Sequence, residues 1–158
     1  MRIWRICKAR YASDAFSGEG ARRFGGRWNS PGTPLVYAST SLALAAVELF
    51  VHLDPSQAPS DLVSIPADLP EGEPSLRWEL ADLPPRWWSD EFGPIHALGD
   101  RWARSQSSLA VFAPSVPIRG EWNVLVNPVH PRVSELIIHP AEPFLFDARM
   151  FSTRQQAL

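Results

Sequence analysis

The chain has 158 residues, 45% hydrophobic and 20% charged, with a formal net charge of −2 at pH 7. That length and usage predict one globular domain over residues 1–158, with enough apolar side chains for a core that needs no covalent staples. The charge balance offers nucleic acid no electrostatic footprint, the lone Cys7 excludes an intramolecular disulfide and a cysteine-based zinc site, and no run approaches the ~18 apolar residues of a membrane span.

The N-terminus, MRIWRICKARY, is basic but lacks the apolar stretch and cleavage site of a signal peptide, so a cytoplasmic protein is expected. Within it, Trp4 to Ile6 reads as a first strand. Residues 12–34 are rich in Gly, Ser, Arg and Asn and predict a long loop, a type of segment that usually carries function. Leu35 to Ala38 is a strand. Ser39, Thr40 and Ser41 then offer N-cap hydroxyls to a helix over roughly 41–53. Leu42, Ala45, Ala46, Leu49, Phe50 and Leu53 form one stripe at helical spacing. Leu44, Val47 and Val51 make the other side apolar, which predicts burial on more than one side. Leu62 to Ile65 is a strand, and 66–85 is irregular with a short strand near Leu76 to Leu80. Pro94 to Arg104 fits a helix. Leu109 to Phe112, Trp122 to Val126, Ser134 to His139 and Phe144 to Phe146 complete the strands. Strands outnumber helices and do not alternate with them, so the expected class is α+β.

A few residues stand out against this frame. Within the apolar helix only Glu48 and His52 are polar. A buried carboxylate is costly unless paired and hydrogen-bonded, so Glu48 forms either a salt bridge at the helix edge or part of a cleft. Arg27 follows Gly25-Gly26. Paired glycines permit close backbone approach, and an arginine there is either a two-pronged grip on phosphate or carboxylate or a surface side chain after a turn. There are fourteen arginines and one lysine, and arginine is the better residue for such forked contacts. Tyr37 is a stacking surface for a flat heterocycle or a core ring. Ser115 has no nucleophile-elbow motif around it. His52, His96, His130 and His139 lack zinc-ligand spacing and read as structural or surface residues, so no metal is expected. Trp78, Trp87, Trp88 and Trp102 are expected to fill or cover the core.

In order along the chain, Trp4-Arg5-Ile6, Gly25-Gly26-Arg27-Trp28-Asn29, Tyr37-Ala38-Ser39, the Glu48 helix, Pro114-Ser115 and the closing Glu121-Trp122-Asn123-Val124-Leu125-Val126-Asn127-Pro128-Val129-His130-Pro131 resemble the RES family. The likeness runs from Trp4 to about Phe146. The family's eponymous arginine, glutamate and serine look like Arg27, Glu48 and Ser115. The resemblance implies an ADP-ribosyltransferase-like fold: a split, mostly antiparallel sheet with flanking helices around a cleft for NAD. It implies a bacterial toxin that breaks NAD at the nicotinamide–ribose bond or transfers its ADP-ribose to a protein. It further implies neutralisation by an Xre-type helix-turn-helix antitoxin, in a homodimer or a hetero-oligomer with that partner. On this reading Glu48 stabilises positive charge on the ribose, Arg5 and Arg27 hold the pyrophosphate or adjoining ribose, and Tyr37 packs against nicotinamide. Ser115 bonds within the cleft, and Asn123 braces a loop or touches the ligand. Residues 66–92 match the family only loosely. An inactive NAD-binding or antitoxin-binding module is the alternative from another class.

Overall fold

A computed structural model describes residues 1–54 and 57–151. In chain order the elements are β1 (Arg2–Lys8), α1 (Glu19–Phe24), β2 (Val36–Ser39), α2 (Leu42–Phe50), β3 (Leu62–Asp68), β4 (Leu76–Arg77), α3 (Gly93–Ser105), β5 (Ala110–Pro114), β6 (Trp122–Val126), β7 (Ile137–Ile138) and β8 (Glu142–Phe144). Short 3-10 turns stand at Ala9–Asp14, Leu80–Asp82, Pro131–Glu135 and Ala148–Met150. The strands run β4-β5-β6-β2-β1-β3-β7, with β8 also on β3. Every pairing is antiparallel except β4 with β5. The class is therefore the expected α+β. No helix among the described residues is long and apolar enough to cross a membrane.

The sheet is split at its middle. β1 pairs with β3 from Arg2–Asp68 through Lys8–Leu62, and β2 with β6 from Val36–Val126 through Ser39–Asn123. β1 and β2 meet only at Trp4 and Ser39. Beyond that pair the strands part. Buried peptide groups need a partner, and here a side chain supplies one: Arg5 Nη1 donates to the Tyr37 carbonyl at 2.7 Å.

Alternation along the central strands sorts the core into two faces. Val36, Ala38, Ala110, Val124 and Val126 pack with Ile3, Phe16 and Ile65 on one side. Leu35, Val111, Ala113 and Leu125 pack on the other with Trp28, Trp78, Ile95 and Trp102. The second side is covered by α3, which has Pro94 in its first turn and ends at Gln106 in the left-handed region, an ordinary helix start and an ordinary stop. Fully buried Asn127 donates to the Ala103 carbonyl at 2.9 Å and accepts from Val129 N, tying the end of β6 to α3.

One face of α3 also holds the glycine loop. His96 bonds the Gly26 carbonyl at 2.7 Å through Nε2, and Asp100 accepts from Ser30 N at 3.1 Å and from the Ser30 hydroxyl. Gly99 lies between them against Trp28. Positions 96, 99 and 100 share a helix face by their i, i+3, i+4 spacing.

Three expectations are corrected. Residues 12–34 are not one long loop: α1 stands inside it, between Gly18 at φ 73° and Gly25 at φ 72°. Glu19 bridges to Arg22 and Arg23 at 2.7 and 2.6 Å, so the glycines delimit a short helix. Ser134 to His139 is mostly not strand, because Pro131 opens a 3-10 turn, capped by His130, that lasts to Glu135. Finally, α2 buries only Leu44 and Ala45, and Val51 is 52% exposed. The helix packs on β1 and β2, and its end is covered by Phe146 and Phe151, whose rings lie 5.8 and 5.2 Å from that of Phe50. Of the tryptophans, Trp78 and Trp102 are core, while Trp88 is 55% exposed.

A Cβ at position 99 would lie 1.7 Å from the Trp28 carbonyl oxygen, a backbone atom. Gly99→Ala is therefore expected to destabilise the fold by at least about 1–3 kcal/mol, the usual cost of overpacking, read as a lower midpoint in denaturant unfolding. An unchanged midpoint would mean that α3 does not sit on the loop this closely.

Candidate active site

The split opens a cleft of about 890 Å³ lined by Arg5, Arg27, Tyr37, Ser39, Glu48 and Asn123, with Phe92 and His96 on its wall. Each side chain is delivered by a rigid element. Ser41 caps α2, its hydroxyl accepting from Leu44 N at 3.1 Å. Ser39 and Thr40, the other two hydroxyls in that run, do not cap the helix. Two turns on, Glu48 is half-buried over the end of β2.

Glu48 forms no salt bridge among the described residues. Its Oε1 accepts from Ser115 Oγ at 2.7 Å and from Asn123 Nδ2 at 2.5 Å. Ser115 is 2% exposed, and its hydroxyl also accepts from Ile118 N at 3.1 Å. Pro114 and Val116 line the cleft on either side of it, while Ser115 itself stands behind the wall. Asn123 is held in turn by Ser39, whose hydroxyl donates to Oδ1 at 2.7 Å. Oε2 of Glu48 has no protein partner among the described residues. Hydrogen-bond donors compensate the partial burial of the carboxylate and keep it oriented.

The two arginines are in different situations. Arg5 is enclosed: burial pulls its pKa below the ordinary arginine value, opposed by Cys7 and Asp14. Its Nε is buried without a hydrogen-bond partner. An arginine stays charged in proteins, so this is an unmet donor beneath the surface, on a cation that lines the cleft. Arg27 is partly exposed. Its Nη1 donates to the carbonyls of Trp87 and Ser89 at 3.2 and 2.9 Å, and its guanidinium lies 5.2 Å from the Phe92 ring centroid. Its other nitrogens bond no protein group among the described residues. His96 stacks on the same phenyl ring, with centroids 5.5 Å apart and planes within 10°.

Tyr37 is anchored at its tip. Its hydroxyl donates to Asn29 Oδ1 at 2.6 Å and accepts from Trp28 N at 3.0 Å. Burial pushes its phenol pKa up, so it stays protonated. Asn29 is fully buried, and its amide spans the carbonyls of Ala21, Ser30 and Thr33. Gly26 is required here, because a Cβ would lie 2.5 Å from the Tyr37 hydroxyl.

Of the residues singled out in the sequence, Arg5, Arg27, Tyr37, Glu48 and Asn123 thus share one cleft, and Ser115 supports it from behind. Sequence reasoning missed Ser39, Phe92 and His96. His96, read as structural or surface, lines the cleft. Ser39 was legible only as a cap, since its true partner is 84 residues away. No local pattern marks Phe92.

Fold and site together define an α+β domain whose split sheet opens beside a carboxylate positioned by two neutral donors. A model of the RES domain matches residues 2–147. The chain is 37% identical over 154 residues to the Prs ADP-ribosylating toxin of Sphingobium sp. (strain YBL2), covering 94% of this chain and 95% of the relative. It is 35% identical over 153 residues to Toxin Res of Pseudomonas putida, covering 96% and 100%. Against Toxin Res of Yersinia enterocolitica the identity is 32% over 156 residues, covering 95% and 99%. Among solved structures, the M. tuberculosis MbcT–MbcA toxin–antitoxin complex contains a similar fold, with TM-score 0.69 at 21% identity over 91% of this chain and 84% of that one. The chain belongs to the RES family.

Tyr37→Phe removes both hydroxyl bonds and strands the Trp28 amide. The expected cost is about 1–3 kcal/mol, measured by chemical denaturation. A variant as stable as the parent would show that the tip of Tyr37 does not brace the loop.

Proposed function

We propose that this chain is the toxin of a toxin–antitoxin pair and that it splits NAD between nicotinamide and ribose. One observation carries the reading. Glu48 Oε1 takes both internal donors, leaving Oε2 without a protein partner among the described residues, in a cleft that Arg5 and Arg27 also line. The family membership and the names of the relatives support the toxin role. The antitoxin that the resemblance implies, of Xre type, is proposed as the partner.

When the bond breaks, its electron pair goes to the nicotinamide nitrogen and positive charge develops on C1′ and the ring oxygen of the ribose. A fixed carboxylate in a water-poor cleft stabilises that charge more than water does. Glu48 has this role, with Oε2 facing the ribose. Arg5 and Arg27 bind the pyrophosphate or adjoining ribose. Tyr37, held by Asn29 and Trp28 N, offers its ring to nicotinamide. Water adds to C1′ and loses its proton to solvent, giving nicotinamide and ADP-ribose. A second reading replaces water by a protein side chain, so that ADP-ribose is transferred. It is favoured by the name of the 37%-identical relative, an ADP-ribosylating toxin.

Glu48→Gln keeps the shape and the contacts to Ser115 and Asn123 but loses the charge. Nicotinamide release is expected to fall by about 10²–10³-fold, with NAD affinity by calorimetry and thermal stability close to the parent. Full activity in that variant would remove Glu48 from the chemistry. Arg27→Ala is expected to weaken NAD binding, and an unchanged calorimetric Kd would make Arg27 structural. Free ADP-ribose from protein and NAD alone marks hydrolysis, whereas label from NAD appearing on a protein in lysate marks transfer.

A further inference from the structure

We infer that Asn123 and Ser39 are positioning residues that act through Glu48, fixing which of its two oxygens meets the substrate. The inference rests on the proposed NAD-cleaving reading and gives Asn123, on the cleft wall, the role of orienting the carboxylate rather than that of gripping the ligand.

The geometry is built by the sheet. Ser39 and Asn123 are cross-strand partners at the end of the β2–β6 ladder. Asn123 also pairs with Ala113 of β5, two residues before Ser115. Three neighbouring strands therefore bring Ser39, Asn123 and Ser115 together beneath the carboxylate that α2 delivers. Cross-strand neighbours have Cβ atoms about 4.5–5.5 Å apart, which suits a short serine bonding an asparagine amide.

Direction matters in this chain of bonds. The ends of an asparagine amide are chemically opposite, one accepting and one donating. The Glu48 carboxylate can only accept, so the amide turns its NH₂ to it, and Oδ1 is left facing the Ser39 hydroxyl, which donates to it and holds it there. Ser115 gives a second donor to the same oxygen. Oε1 is thereby saturated, and Oε2 is the oxygen left for substrate. Without Ser39, Oδ1 loses its donor and the amide is held from one end only. Ser39 is 3% exposed, so water does not readily replace its hydroxyl.

A double-mutant cycle on nicotinamide release tests this. Asn123→Ala is expected to lower kcat by about 10- to 100-fold, the scale of one hydrogen bond to a charged group, with little change in KM. Asn123→Asp keeps the shape but replaces the donor with a repelling carboxylate, and should lose at least as much at neutral pH. Ser39→Ala should give a smaller loss of the same kind. In a Glu48→Gln background, Asn123→Ala should cost almost nothing further, because residues acting as a unit are not additive. Losses that multiply across the two backgrounds, a raised KM with unchanged kcat, or an Asn123→Asp variant as active as the parent would overturn the inference and leave the cleavage reading standing. A parent protein that releases no nicotinamide would overturn both.

Discussion

The structure depends on a carboxylate that, among the described residues, has been given donors and no cation. Glu48 lies on an apolar helix, where an unpaired charge is expensive. An arginine at salt-bridge distance would offset that cost but also occupy the group. Two neutral donors on one oxygen instead leave the charge in place and the other oxygen open. The arginines of the cleft are engaged elsewhere: Arg5 with the Tyr37 carbonyl, and Arg27 with two carbonyls and a phenyl ring. Arg5 and Arg27 are thus kept off Glu48, as the proposed ligand, with its phosphates and developing positive charge, requires.

The split sheet makes this separation possible. Because β1 and β2 meet only at Trp4 and Ser39, the strands open into a cleft without exposing a long unpaired edge. Arg5 closes part of the gap with its side chain. Ser39 serves both sides of the junction: its backbone is at the last point where the halves meet, and its hydroxyl begins the chain of bonds to Glu48. The glycine loop with Arg27 is fastened separately, by His96, Gly99 and Asp100 of α3. The cleft is thus framed by rigid elements on both sides, the condition for preorganised electrostatics.

Much of this was legible in the sequence where periodicity was strong. The strand Trp122 to Val126 was read with its observed limits, and the helices around Glu48 and Ile95 were read to within a few residues. Glu48 announced itself as a charge without local company. The rest depended on distant or unpatterned contacts. α1 is a six-residue helix in a glycine-rich stretch, held by side-chain ion pairs that propensity does not register. The apolar flank of α2 suggested burial that the sheet does not provide. Ser39 and His96 became visible as cleft residues only once β6 and α3 were folded against them.

The most direct measurement is a crystal structure of the Glu48→Gln variant with NAD. The account predicts the nicotinamide-bearing ribose within hydrogen-bond distance of the side chain at position 48, the phosphates near Arg5 or Arg27, and Ser115 and Asn123 still in contact with that side chain. NAD bound outside the cleft, or bound with its adenine end at position 48, would contradict it.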